Sequence, residues 1–240
     1  MRQRGGLLSV LSADAPLTQN LVGFWEFDDA TEELGRYALT EWNAPTYGAG
    51  LVGNAVTLAS ASTQYLDRAY TDALSPPGDF EWFGWVNFTT VGADRMLVNM
   101  GNANAGNYPH SMAYELMYVN SGTKFRWTVG NDTTSLVLSS TFGAPSTGTW
   151  YAVNAWHQAG VGLGLKINNG AGDTGAYVSG SYHPAYNLTF GKWTNFNGAR
   201  HNGLLDQWGF WSRLLTAQER TFLYNAGAGR TYAQIRQWVP

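Results

Sequence analysis

The sequence predicts an all-β protein, a two-sheet antiparallel jelly-roll sandwich that carries one short C-terminal helix. Three observations support this fold class. Apolar residues recur in short alternating runs, which is the pattern of half-buried strands. The chain is rich in turn formers and β-favouring aromatics, with 29 Gly and 11 Trp. The runs are not separated by the helical patterns that parallel crossovers would need.

The runs follow one another at the spacing of a sandwich. Residues 80–88 (FEWFGWVNF) are apolar on both faces, which predicts a central strand. The predicted strands cover residues 21–27, 53–60, 63–69, 80–88, 95–101, 111–120, 124–131, 135–140, 150–158, 162–168, 176–181, 186–193 and 204–212.

One segment near the end departs from this pattern and predicts a helix over residues 217–226. Thr216 and Glu219 have the spacing of a capping box, in which each side chain binds the other residue's backbone N–H. Leu223 belongs to an apolar face at helical spacing. Gly227 follows where a left-handed cap residue is expected.

We divide the chain into an N-terminal arm (1–20), one sandwich domain (21–228) and a C-terminal tail (229–240). The apolar stretch near the N-terminus is broken by Gly and Ser, so it gives no clear signal peptide. An arm of this kind is rarely ordered by itself, and we expect it to dock on the domain or on a neighbouring chain.

Composition excludes several classes of function. The net charge is −3 and no basic stripe exists, which argues against a nucleic-acid partner. The apolar runs are too short for membrane insertion. Cysteine is absent, so the chain has neither a disulfide framework nor a thiolate metal site.

Residues 204–224 resemble the closing segment of laminin-G-like domains, which belong to the concanavalin A-like lectin–glucanase superfamily. The residues that carry the match are Gly203, Leu205, Asp206, Trp208, Phe210, Trp211, Arg213, Leu215, Thr216, Glu219, Leu223 and Tyr224. The opening strand (21–29) and the segments 50–66 and 78–87 are also similar to that family. The resemblance implies the jelly roll, with the helix closing one end of the sandwich.

The sequence predicts no enzyme. Glycosidases of this fold place carboxylates on one strand as Glu-x-Asp-x-x-Glu, and retaining chemistry needs two carboxyl groups about 5 Å apart. That pattern is absent, because Glu26, Glu81 and Glu115 each stand alone on their strands. A polysaccharide hydrolase or lyase assembled from separate strands is the weakest alternative.

Asp206 lies on a strand that is otherwise packed with Trp and Phe, so its carboxylate needs a partner. The resemblance implies a structural calcium ion at such a place, with Glu26 or Asp28 as further ligands. The alternative is hydrogen bonding to backbone N–H groups or to Arg213. The cofactor prediction is therefore none, or one structural calcium ion.

Two polar loops with aromatic residues are candidates for ligand binding. Aromatic rings can stack on the apolar face of a sugar, and amide groups can bind its hydroxyls. The candidate residues are Trp193, Asn195, Phe196 and Asn197 in one loop, and Asn104 and Tyr108 in the other.

Two function hypotheses follow. In the first, the chain is a non-catalytic structural or adhesion component of a larger assembly, such as a capsid decoration or fibre-head protein of a virion. It would then contact other chains through residues 1–20. In the second, it is a free carbohydrate-binding, lectin-like module that recognises cell-surface glycans. The expected location is a virion or the extracellular surface.

Overall fold

The computed structural model describes residues 16–101, 112–130, 135–139, 142–181, 185–194 and 198–238. Within these residues the strands are Leu21–Trp25 (β1), Thr40–Trp42 (β2), Thr46–Ala49 (β3), Asn54–Leu58 (β4), Tyr65–Arg68 (β5), Phe80–Phe88 (β6), Arg95–Gly101 (β7), Met112–Val119 (β8), Lys124–Gly130 (β9), Ser135–Ser139 (β10), Trp150–Gln158 (β11), Gly162–Ile167 (β12), Gly172–Ala176 (β13), Leu188–Phe190 (β14) and Gly203–Trp211 (β15). Two α-helices follow, Ala217–Tyr224 (α1) and Tyr232–Arg236 (α2).

The described strands form two antiparallel sheets packed face to face, which confirms the predicted sandwich. The larger sheet has the order β13-β12-β11-β6-β15-β4-β3, and β1 also pairs with β15. The smaller sheet has the order β10-β9-β8-β7-β14-β5-β2. The aromatic core lies between them, where the Trp82 ring stacks on Phe210 with centroids 4.4 Å apart.

A β-bulge at Gln207 sets the direction of the side chains on β15. Gln207 has a φ of 52°, and the pairing with β6 shifts between Asp206 and Gly209. The extra residue lets Leu205 and Trp208 both enter the core between the sheets. Strict alternation along the strand, as the sequence pattern predicts, would put these two residues on opposite faces.

Helix α1 lies across the outer face of the larger sheet. Leu215 and Leu223 pack there against Phe83 and Trp85 in a second apolar cluster. The expectation that the helix closes one end of the sandwich is therefore wrong. The physical reason is that Phe83 and Trp85 face away from the main core, and their apolar surface needs cover.

A buried ion pair fixes this helix. Glu81 is fully buried and accepts two bonds from Arg220 of α1, at 2.7 and 2.8 Å. It also accepts from Asn154 Nδ2 (2.6 Å) and from the backbone N–H of Leu215 (2.8 Å). Burial raises the pKa of Glu81, and these donors act against that shift.

The predicted capping box is confirmed, since Thr216 and Glu219 bind each other's backbone N–H groups. The helix is shorter than predicted, because α1 ends at Tyr224 and Asn225 is its left-handed cap residue, with a φ of 48°. Gly227 has the positive φ that the sequence predicts, 96°, but it lies two residues after that cap. The tail also carries α2, whose own capping box at Thr231 the sequence analysis missed. No helix among the described residues is long and apolar enough to cross a membrane.

Both ends of the described chain pack on the sandwich. Leu17 is fully buried in the same cluster as Ile235 of α2. The carbonyl of Leu17 accepts the indole N–H of Trp211 at 2.7 Å, and that of Gln19 accepts Arg213 Nε at 2.8 Å. Residues 16–20 of the predicted arm therefore dock on their own domain, while residues 1–15 lie outside the described part.

Candidate functional site

A row of polar residues crosses the outer face of the smaller sheet. Core residues on these strands, such as Leu66, Leu188 and Phe190, point inward. Because side chains alternate along a strand, the residues next to them in sequence point outward. Strand pairing places the outward residues side by side. We call this set the polar row: Thr40, Asp67, Thr189, Asn99, Glu115 and Thr128.

A buried carboxylate anchors the row. Glu115 is fully buried and pairs with Arg126 at 2.6 Å, and it also accepts the Thr128 hydroxyl at 3.3 Å. Trp193, from the loop after β14, donates its indole N–H to Glu115 Oε2 at 2.7 Å. A carboxylate can be buried only with such partners, so Trp193 is held against the sheet.

The loop that carries Trp193 is fixed to the row at two further points. Asn99 Oδ1 accepts the backbone N–H of Thr194 at 3.1 Å and its hydroxyl at 3.0 Å. The hydroxyl of Thr189 donates to the carbonyl of Lys192 at 2.8 Å. These bonds fix the loop backbone from which the Lys192 and Trp193 side chains project.

An exposed aromatic pair stands at the edge of this sheet. The rings of Trp42 and Tyr65 are nearly parallel, with 5° between their planes and centroids 5.5 Å apart. The Trp42 indole N–H donates to Asp67 Oδ1 at 3.0 Å, and Asn187 Nδ2 donates to Asp67 Oδ2 at 3.0 Å. We call Trp42, Tyr65 and Asp67 the edge platform. Trp42 is fixed on this platform although it is 44% exposed.

Two cations lie beside the edge platform. Lys192 Nζ lies 3.9 Å from the centroid of the Tyr65 ring, a cation–π contact. Burial and the charge of Arg200 lower the pKa of Lys192, while Asp67 acts in the opposite direction. Arg200 itself donates to the carbonyl of Thr63 at 3.2 Å, two residues before Tyr65.

The structure places one of the predicted ligand residues, Trp193, on this face. Asn195, Phe196, Asn197, Asn104 and Tyr108 lie outside the described residues.

Sequence analysis missed Trp42 and Tyr65. The available signal was a lone Trp between the polar residues Glu41 and Asn43, in a segment that lacks the apolar pattern of a core strand.

Each of the predicted metal ligands accepts backbone N–H groups with one carboxylate oxygen, and the buried Asp206 Oδ1 has no hydrogen-bond partner among the described residues. Asp206 Oδ2 accepts the N–H groups of Leu51 and Val52, at 2.7 and 2.9 Å. Glu26 accepts the N–H of Tyr232, and Asp28 accepts that of Asn54. No group of three or more His, Cys, Asp or Glu side chains within the described ranges could hold a metal ion. As placed, these residues do not fit a calcium ion.

For Asp206, the structure shows the hydrogen bonds to backbone N–H groups that the sequence left open as an alternative. Arg213 is not its partner, because Arg213 pairs with Glu219. Burial raises the pKa of Asp206 to about 7, and the two backbone donors oppose this shift without cancelling it.

Glu81 and Glu115, which stand alone on their strands, also stand apart in space. Glu81 lies on the outer face of the larger sheet and Glu115 on the outer face of the smaller one, so the core separates them. Each is engaged by an arginine. These two glutamates therefore do not form the close carboxyl pair that retaining glycosidases need.

A cleft of about 600 Å³ lies on the opposite side of the molecule, between the start of β1 and α2. Arg36 and Arg236 line it together with Glu33. Burial and four neighbouring carboxylates raise the pKa of Glu33 to about 7. The cleft thus mixes both charges, and the aromatic ring that lines it, Tyr232, is half-buried and stacks on Phe24.

Neither a protein-family model nor the sequence of a curated protein matches the chain. Solved structures do resemble it. Domain 4 of AbnA, a GH43 extracellular arabinanase from Geobacillus stearothermophilus solved with arabinotriose, has a TM-score of 0.63 at 16% identity, covering 88% of this chain and 98% of that domain.

Toxin binding domains are also similar to this chain. That of Paraclostridial Mosquitocidal Protein 1 has a TM-score of 0.69 at 16% identity and covers 88% of this chain. A structure of botulinum neurotoxin type C, whose cell entry depends on two ganglioside molecules, has a TM-score of 0.65 at 10% identity and covers 90%. The chain spans 53% of each of these proteins. These similarities establish a shared β-sandwich fold.

Proposed function

We propose that this chain is a non-catalytic, glycan-binding β-sandwich module, and that its glycan binds the outer face of the smaller sheet. The observation that carries the proposal is the edge platform. Exposing an apolar indole ring to water is unfavourable, yet the Trp42 ring is 44% exposed. Tyr65 and Asp67 nevertheless hold this ring in one orientation. A fixed, exposed aromatic face is the surface on which a sugar ring can stack.

The accessible end of the polar row, Thr40 and Asp67, supplies the hydrogen-bonding groups that a sugar also needs, whereas the other four residues of the row are buried. Thr40 and Asp67 lie next to the Trp42 ring, and Asn187 lies beside them. Because Asp67 already holds the Trp42 ring in place, less side-chain entropy is lost when a sugar binds. The arabinotriose and ganglioside named for two similar structures agree with a saccharide ligand, as does the resemblance to laminin-G-like domains.

A glycan array probed with the wild type and with Trp42→Ala tests the proposal. We expect binding to fall about 10-fold or more, equivalent to about 1.4 kcal/mol. Trp238→Ala is the matched control, because it removes a partly buried indole that packs on Phe222 beside the larger sheet. Equal binding by wild type and Trp42→Ala would exclude this face as the site.

Membership of the laminin-G-like superfamily, a virion or extracellular location, and a role in an assembly are further parts of the proposal. Within the predicted arm, Leu17 is buried in its own domain, so an assembly contact through the arm would use residues 1–15 or the exposed Gln19 and Asn20. Analytical ultracentrifugation of the full chain and of a chain lacking residues 1–15 tests this. Loss of self-association on removal supports the assembly role, and two identical monomers contradict it.

A further inference from the structure

The edge platform brings two positive charges close together. Lys192 Nζ lies over one face of Tyr65, and Arg200 is held to the backbone of Thr63 just before that ring. Each of the two charges disfavours the other, and Lys192 is also partly buried. Folding therefore places charges together here that would be more stable apart.

The nearby carboxylate does not pair with Lys192. Asp67 uses one oxygen for Trp42 and the other for Asn187. Lys192 appears in none of the ion pairs that the described residues form, which are Arg126–Glu115, Arg213–Glu219 and Arg220–Glu81. Its ammonium group keeps N–H donors available beside the platform.

We propose that the glycan bound at the edge platform is an acidic one, whose carboxylate or sulfate group is bound by Lys192 and Arg200 while a sugar ring stacks on Trp42. This inference rests on the proposed function. An anion between the two cations removes their repulsion, and charge-assisted hydrogen bonds are the stronger kind. The platform gives affinity for a ring, and the cations select the charged sugar.

The test compares glycans that share one core and differ in a single substituent, such as lactose, 3′-sulfolactose and 3′-sialyllactose, within the same array. We expect the two acidic forms to bind about 10-fold more tightly than the neutral form at low salt. The preference should shrink at 0.5 M NaCl, where exposed charges are screened. The two acidic arms distinguish a carboxylate from a sulfate ligand.

Lys192→Gln should abolish the preference for acidic over neutral glycans, whereas Lys192→Arg should keep it. Lys166→Gln, on β12 of the larger sheet, is the matched control and should behave as the wild type. Equal affinity for acidic and neutral forms, with binding still lost in Trp42→Ala, overturns this inference and leaves the proposed function standing. Absence of any glycan binding overturns both.

Discussion

The outer faces of the two sheets differ in what covers them. On the larger sheet, Phe83, Trp85 and Trp211 lie under α1, α2 and the segment around Leu17. On the smaller sheet, the outward residues are the polar row, Trp193 and the exposed Trp42. An apolar face is completed by the chain's own helices, whereas the polar face keeps the edge platform exposed, although four residues of the polar row are buried.

Breaking the buried ion pair under α1 should have the largest effect. Glu81→Ala leaves the Arg220 guanidinium without its carboxylate and should cost about 3–5 kcal/mol of stability. Urea unfolding measures this loss. Arg36→Gln, at an exposed arginine that forms no ion pair among the described residues, should change stability by less than about 0.5 kcal/mol. A loss below about 1 kcal/mol for Glu81→Ala would mean that the pair does not fix the helix.

The sequence predicted α1 because its signal is local: Thr216 and Glu219 are three residues apart. The edge platform joins residues far apart in sequence, since Trp42 and Asp67 are separated by 25 positions. The bond between Trp193 and Glu115 spans 78. Such pairs depend on strand order, which a single sequence does not specify.

Some strands also escaped prediction for physical reasons. β2 is three residues long and exposed throughout, so it has no alternation to detect. β13 covers Gly172–Ala176, whereas the sequence analysis placed a strand at 176–181. This edge strand has Ala176 as its one apolar side chain besides its glycines, so the hydrophobic pattern is too weak to predict it, and its backbone pairs with β12.

The buried Asp206 should make stability depend on pH. Its pKa is about 7 in the folded state and about 4 in an unfolded chain. Between these values the folded state keeps a proton that the unfolded state has lost, so stability falls as the pH rises from 4 to 7. One pKa unit corresponds to about 1.4 kcal/mol, which gives a loss on the order of 4 kcal/mol.

Asp206→Asn has no such proton to lose, so its stability relative to the wild type should increase across this pH range. Urea unfolding of both proteins at pH 4.5, 6 and 7.5 measures the difference. Glu33 titrates in the same range in both proteins and cancels in the comparison. Parallel pH profiles would show that Asp206 is ionised throughout.

Trp193→Phe tests how firmly the loop is held on the smaller sheet. The substitution keeps an aromatic ring but removes the donor to the buried Glu115, which should cost about 1–3 kcal/mol. The same unfolding assay measures it. An unchanged midpoint would mean that the indole N–H does not contribute to holding the loop.

Calcium should have the smallest effect. Glu26, Asp28 and Asp206 are engaged by backbone N–H groups, so adding calcium or a chelator should shift the Tm by less than about 1 °C. Differential scanning calorimetry measures this. A rise of several degrees with calcium, lost in Asp206→Asn, would show that these carboxylates hold the ion after all.

The most direct test of the contrast between the two faces is an NMR titration with the glycan that binds most tightly on the array. The indole N–H groups serve as reporters, with Trp42 and Trp193 on the smaller sheet and Trp211 under the N-terminal segment. We predict that the signals of Trp42 and Trp193 shift with added glycan while that of Trp211 stays unchanged. Shifts confined to Trp211 and the residues of α1 and α2 would contradict the account.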